Sequence, residues 1–141
     1  MDDRDRQLIA MLRENARIPT AELARRLGLS RTTVQARLER LERGGVIAGY
    51  SVRLADEVER GLIRAHVLVT ILPRTAPRIE AELRAMPEVR TLHSVSGSFD
   101  LIAIVEAASI GELDKLIDRI GTLEGVEKTL SSIILSTRIE R

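Results

Sequence analysis

Apolar residues recur at three- and four-residue intervals through the first 43 positions and at two-residue intervals through much of the rest, predicting a helical unit followed by a sheet unit. Leu8, Ile9 and Leu12 mark a first helix from about Asp3 to Asn15. Asp2, Asp3 and Asp5 sit where a helix N-terminus favours negative charge. Ile18-Pro19-Thr20 interrupts the pattern, and Thr20 is expected to cap a second helix whose apolar stripe is Leu23, Ala24 and Leu27. Gly28 stops that helix, Leu29 plugs the corner, and Ser30 is a ready N-cap for a third helix, Arg31 to Arg43, which Gly44-Gly45 ends. From Val46 the period shifts towards two, so a strand is expected over Val46–Val52. Arg53 to Gly61 is polar and acidic with no apolar period, and the domain boundary is expected there. The resulting division is a helix-turn-helix domain over 1–50, a linker over 51–61 and a second domain over 62–141.

The second domain contains a repeat. Leu62 to Leu72 reads as a strand, 75–86 as a helix (Ile79, Leu83, Met86), and Val89 to about Ser96 as a strand. The order then recurs as a strand from Phe99 to Val105, a helix over 109–121 and a last strand from Val126 to about Thr137. Ser109 and Glu112 have capping-box spacing at the second helix. A double βαβ unit implies an α+β fold, with a ferredoxin-like four-stranded βαββαβ sheet carrying two helices on one face. Val67, Val69, Ile71, Leu101, Ala103, Val105, Ile133 and Leu135 alternate with Leu68, Leu72, Ile102, Ile104 and Ile134, so both faces are apolar. Helices cover only one face. The other predicts a second subunit, hence at least a homodimer.

The spacing of the second and third helices is that of a helix-turn-helix. Val34, Leu38 and Leu41 define the buried stripe of the third helix. The opposite arc carries Thr32, Ala36, Glu39 and Arg43, flanked by Thr33, Gln35 and Arg40. Small residues allow close approach to a major groove, while Gln and Arg reach base edges. The candidate DNA-contacting residues are Arg31, Gln35, Arg37 and Arg40, reaching groove edges or phosphates, with Thr32 and Thr33 at the backbone or base edges. A solvated face of an ordinary helical bundle is the bland alternative.

Charge sharpens this picture. The net charge is only +1, yet residues 1–50 carry ten Arg against seven acids, and the other 91 carry twelve bases against fourteen acids. Twenty of the 22 basic residues are Arg, whose planar fork suits phosphate and guanine edges. With 44% hydrophobic residues the chain can bury a core. One Tyr and one Phe give little surface for stacking bases, and the absence of Cys excludes disulfides and thiolate chemistry. The charged start does not read as a signal peptide and no apolar run is long enough for a membrane span, so a cytoplasmic protein is expected.

Asp2-x-x-Asp5 before Leu8-Ile9, the run Leu23-Ala24-Arg25-Arg26-Leu27-Gly28-Leu29-Ser30, Val34-x-x-Arg37-Leu38-x-x-Leu41, Gly45-Val46-Ile47-x-Gly49-Tyr50 and Gly97-x-x-Asp100-Leu101 occur in that order. In that order and spacing the chain resembles the Lrp/AsnC family of transcription regulators over nearly its whole length. The resemblance implies a winged helix-turn-helix that binds double-stranded operator DNA as a dimer. It also implies a C-terminal RAM-type module that oligomerises, to octamers for example, and often senses an amino acid or related metabolite. It points to the loop Ser94–Asp100 and the last strand for that effector, with Gly97, Ser98, Asp100, Thr129 and Ser131 as candidates. An anion would hold the ammonium, and N–H and hydroxyl donors the carboxylate. The family's loop often has an acid and a Tyr where this chain has Ser98 and Phe99. A hairpin turn in which Asp100 merely caps backbone N–H groups is the competing reading.

No catalytic constellation is expected. His66 and His93 fall on separate strands without metal-ligand spacing, no Ser sits in a nucleophile elbow, and no glycine-rich phosphate loop precedes a helix. No cofactor is expected other than the amino-acid effector. Two alternatives stand beside sequence-specific regulation: a sequence-tolerant architectural DNA-binding protein, and a metabolic allosteric subunit or small enzyme built on the ferredoxin-like half.

Overall fold

The computed structural model describes residues 1–55 and 61–141, so residues 56–60 of the expected linker lie outside the described residues. The chain divides into two compact units, Met1–Arg53 and Leu54–Arg141.

The first unit is built from α1 (Asp3–Glu14), α2 (Thr20–Leu27) and α3 (Arg31–Arg43). Leu8, Leu23, Ala24, Leu27, Val34 and Leu41 form its buried core, with Ile9, Leu12, Leu29, Leu38 and Ile47 packed around them. The helix ends follow from local chemistry. At α1, Asp2 accepts from the Asp5 N–H at 2.9 Å while Asp5 accepts from the Asp2 N–H at 3.1 Å, a reciprocal capping box. At α3, Ser30 Oγ accepts from the Thr33 N–H at 3.1 Å. Gly28 ends α2 with φ +65, the left-handed conformation that glycine enters without penalty.

The first unit departs from its sequence pattern at two places. Thr20 does not cap α2: Pro19 occupies the cap position, without a side-chain cap, and its carbonyl closes the first turn by accepting from the Glu22 and Leu23 N–H groups. Nor does Val46–Val52 form a strand. The N–H groups of Val46 and Ile47 both donate to the Leu41 carbonyl at 3.0 Å, finishing α3, and Ile47 turns back onto the core. An alternating pattern without a neighbouring strand has no ladder to join.

The second unit runs β1 (Ile63–Ile71), a 3-10 turn (Pro73–Thr75), α4 (Ala76–Arg84), β2 (Val89–Ser94), β3 (Leu101–Ala107), α5 (Ile110–Gly121) and β4 (Val126–Ile133). Its four-stranded sheet has the order β2-β3-β1-β4 with all neighbours antiparallel, the ferredoxin-like arrangement. Val67, Val69 and Ile71 from β1 and Leu101, Ala103 and Val105 from β3 are buried with Ile79 and Leu83 of α4 and Leu113, Leu116 and Ile120 of α5. Both helices therefore lie on one face. Ser109 Oγ caps α5 by accepting from the Glu112 N–H at 3.1 Å. Glu112 in turn accepts from the N–H of Ala108, one residue outside the expected box.

The strand bounds differ from their apolar patterns. β4 stops at Ile133, not near Thr137, because it pairs only with β1: Ala65 opposes Ile133, Ile134 donates to the Arg64 carbonyl, and β1 then runs out. Leu135 is left 94% exposed. β3 begins at Leu101, two residues after Phe99, and extends to Ala107. On the uncovered face the register places His66, Leu68 and Thr70 of β1 beside Ile102 and Ile104 of β3, with Thr91 and His93 on one flank and Leu130 and Ser132 on the other.

Candidate functional site

The outward arc of α3 is open. Arg31, Thr32, Thr33, Gln35, Ala36, Glu39, Arg40 and Arg43 are exposed, while Val34 and Leu41 on the other side are buried. Short side chains lead the arc and longer polar ones follow, so the first turn can come close to a duplex. Thr33 is held at that turn, its Oγ1 2.8 Å from Ser30 Oγ. Gln35 Nε2 donates to Glu39 Oε1 at 3.3 Å one turn later.

Arg37 is placed differently from the other candidates. Its Nη1 donates to Asp2 Oδ2 at 2.7 Å and to Asp5 Oδ1 at 2.9 Å, and its side chain is only 20% exposed. The carboxylates that cap α1 thus hold the middle of α3. Arg40 Nη2 shares Asp5 at 3.3 Å but remains 62% exposed, so its fork still faces solvent. The charge balance shows in the titration of these groups. The Arg37 hydrogen bond, then the Asp5 N–H, hold the Asp2 carboxyl down at about 2. Burial pushes Asp5 up, but the Arg37 hydrogen bond and the Asp2 N–H outweigh it and leave it lowered. On α2, hydrogen bonds from Arg25 and Arg26 hold Glu22 at about 2, engaging two further cations of this unit.

Asp2 and Asp5 were legible as helix-end acids. Their role as partners of Arg37 was not, because the cation lies more than thirty residues along the chain. Arg4 is a second such residue, donating to the Leu27 carbonyl at 2.6 Å and so fastening α1 to the end of α2.

The effector candidates fall in two places. Gly97, with φ +105, and Ser98 lie exposed in the connection from β2 to β3. Asp100 ends that connection and caps the sheet: its Oδ2 accepts from the Ile71 N–H at 2.9 Å, and its own N–H donates to the Val69 carbonyl at 2.9 Å. Thr129 and Ser131 pair with Val69 and Val67 on the far side of β1. Within one chain β1 lies between these hydroxyls and the end of the β2–β3 connection, and Asp100 bonds the same Val69 that Thr129 opposes. The cleft of about 740 Å³ beside β2 and α5 is lined by other residues, among them Glu88, Arg90, Lys115 and Arg119. Among the described residues no cluster of His, Asp and Glu is arranged to hold a metal ion, and no helix is long and apolar enough to cross a membrane.

Residues 1–48 match the model of the winged helix-turn-helix DNA-binding domain, and residues 64–141 that of the Lrp/AsnC ligand binding domain. The chain belongs to the Lrp/AsnC family. It is 40% identical to the HTH-type transcriptional regulator LrpA of Mycobacterium tuberculosis, with 97% of this chain and 91% of that protein covered. Among solved structures, Escherichia coli AsnC superposes with a TM-score of 0.90 at 26% identity, covering 100% and 96% of the two chains. A feast or famine regulatory protein from M. tuberculosis, solved with L-methionine, superposes with a TM-score of 0.88 at 39% identity, covering 99% and 95%. This Lrp/AsnC protein is accordingly a DNA-binding transcriptional regulator with an α+β fold, an N-terminal helix-turn-helix unit and a C-terminal ligand-binding unit.

Proposed function

We propose that the protein reads specific operator sequences by laying α3 in the major groove, and that an amino acid or related small metabolite modulates this activity. The exposed arc of α3 carries the reading, since it opposes the buried stripe and begins with residues small enough to let the helix approach. Arg31 and Gln35 are assigned to base edges, Thr32 and Thr33 to the backbone or base edges, and Arg40 to a phosphate. Arg37 is assigned a positioning role, because both carboxylates at the start of α1 already hold its guanidinium. The reading part ends near residue 50, and residues 51–61 serve as linker to the effector-binding part at 62–141. The protein works in the cytoplasm, where its DNA is, and has no catalytic role.

Two copies joined through the uncovered sheet face form the working unit, and dimers assemble further, to an octamer for example. Leu68, Ile102, Ile104, Leu130 and Ile134 supply the apolar part of that contact. A two-fold related pair of α3 helices about 34–36 Å apart, or a multiple of that spacing, would engage successive half-sites. β1 intervenes between the loop that carries Gly97 and Ser98 and the strand that carries Thr129 and Ser131, and the effector site is completed by a second subunit, as the family resemblance implies.

Titrating the full chain with a duplex selected from a random pool, and with its scrambled version, at about 0.1 M salt tests the DNA reading. A ratio of about 10³ or more is expected for specific recognition; equal affinities favour the architectural alternative. Asp100→Asn retains an oxygen for the Ile71 N–H but loses the charge. It is expected to abolish a thermal shift caused by L-methionine or another amino acid while leaving operator binding intact. A retained shift removes Asp100 from the site.

A further inference from the structure

Two side chains on the outward arc of α3 are engaged with each other before any duplex arrives. Gln35 and Glu39 lie four residues apart, are both exposed, and are joined by the Nε2 to Oε1 hydrogen bond at 3.3 Å. A carboxylate only accepts, so the contact decides which end of the carboxamide faces Glu39: its nitrogen. The carbonyl oxygen and second N–H of Gln35 remain to offer an acceptor beside a donor, the complement of the adenine amino group and N7. Among the described residues no ion pair joins Arg43 to the Glu39 carboxylate; Arg43 Nε donates instead to the backbone carbonyl of Glu39 at 3.4 Å.

We infer that Glu39 is a positioning residue for base reading, holding the Gln35 carboxamide in the orientation that takes an adenine while its charge rejects edges made only of acceptors. The inference rests on the placement of α3 in the groove proposed above. An acid on a surface that meets phosphates weakens attraction to every duplex alike, so its favourable contribution lies in discrimination. Guanine presents N7 and O6 to the major groove, both acceptors, and the carboxylate repels that edge. Adenine presents an amino donor, which the carbonyl of Gln35 accepts.

The test is selection from a randomised duplex library by the full chain and by its Gln35→Ala, Glu39→Ala and Glu39→Gln variants, with circular dichroism to verify folding. The native chain is expected to favour adenine at one position of each half-site by about tenfold or more, the worth of one good bidentate contact. Both alanine variants reduce that preference to about threefold or less at the same position. Glu39→Gln, which has lost the charge and can donate as well as accept, is expected to lower the preference to between the native and the Glu39→Ala values. Glu39→Ala also binds scrambled duplex more tightly than the native chain, a gain that a folding defect does not give. Loss of the preference in Gln35→Ala with its retention in Glu39→Ala overturns the inference, as does a Glu39→Ala variant that binds scrambled duplex more weakly. If no variant alters any preference, the placement of α3 fails and the inference falls with it.

Discussion

Asp5 and Arg37 are 32 residues apart in sequence and 2.9 Å apart in space, and the carboxylate is 2% exposed. The same acid closes the capping box of α1, so one side chain sets the start of the first helix and the position of the third. Arg37→Ala leaves Asp5 buried without its principal cation. The melting temperature of the N-terminal unit is expected to fall, and operator binding to fall with it. Arg43→Ala is the contrast: an exposed cation outside this network, whose loss leaves melting unchanged and weakens all duplexes alike. The slope of log affinity against log salt should drop by about one if Arg43 meets a phosphate. Thermal melts and salt titrations of both variants check the pair.

Acid should loosen the same junction. Asp2 sits at about 2 against its ordinary 3.8, held there first by Arg37 and then by the Asp5 N–H, and Asp5 is lowered too. Both carboxyls bind protons at higher pH in the unfolded chain than in the folded one. The Asp2 contribution is therefore complete above about pH 5 and disappears as pH falls towards 2, and the Asp5 contribution is lost in the same direction. Glu22, held at about 2 by Arg25 and Arg26, acts in the same direction on α2. Helical circular dichroism followed from pH 5 to 2 should show the loss, and Asp2→Asn should flatten its pH dependence.

Gly125→Ala should destabilise the second unit more than Gly28→Ala destabilises the first. Both glycines have positive φ, +96 and +65, so each substitution carries a backbone cost of about 1–2 kcal/mol. At Gly28 the added methyl enters open space, whereas at Gly125 it meets the Thr75 side chain, which itself donates to the Leu72 carbonyl. Urea unfolding of the two variants measures the difference.

Ser30→Ala removes the cap of α3. A loss of about 1 kcal/mol is expected, read by denaturant titration, because the Thr33 N–H loses its acceptor at 3.1 Å.

A charge on the uncovered sheet face should break the proposed dimer. Leu68→Lys places an ammonium between Ile102 and Leu130, and Ile104→Lys places one between His66 and Thr91. Light scattering should report about half the native molar mass or less, consistent with a two-fold contact across that face. An unchanged mass places the subunit contact elsewhere.

The apolar periods alone located the three N-terminal helices and the four strands, since burial of one face drives both. Ser30 and Gly28 were readable because caps act within a few residues. Thr20 misled because a carbonyl at Pro19 closed the turn in place of a hydroxyl. Val46–Val52 misled because alternation records which side chains can face a core and says nothing of whether a partner strand is present. At the candidate interface, the wheel of α3 separated exposed from buried positions but could not distinguish Arg37 from Arg40. That distinction depends on carboxylates brought in from α1 by the tertiary fold. The effector candidates rest on resemblance and loop chemistry, and the hydrogen bond from the Ile71 N–H to Asp100 emerges only when β1 and β3 are side by side.

The absence of native cysteine makes one measurement direct. Ala36→Cys introduces a single thiol in the middle of the exposed arc of α3, and Asp118→Cys introduces one on the exposed side of α5. The rate of alkylation of each is followed as a selected duplex is added. An α3 lying in the major groove shields Cys at 36 from the reagent while leaving the thiol at 118 as reactive as before. Undiminished alkylation at 36 with duplex saturated contradicts the account.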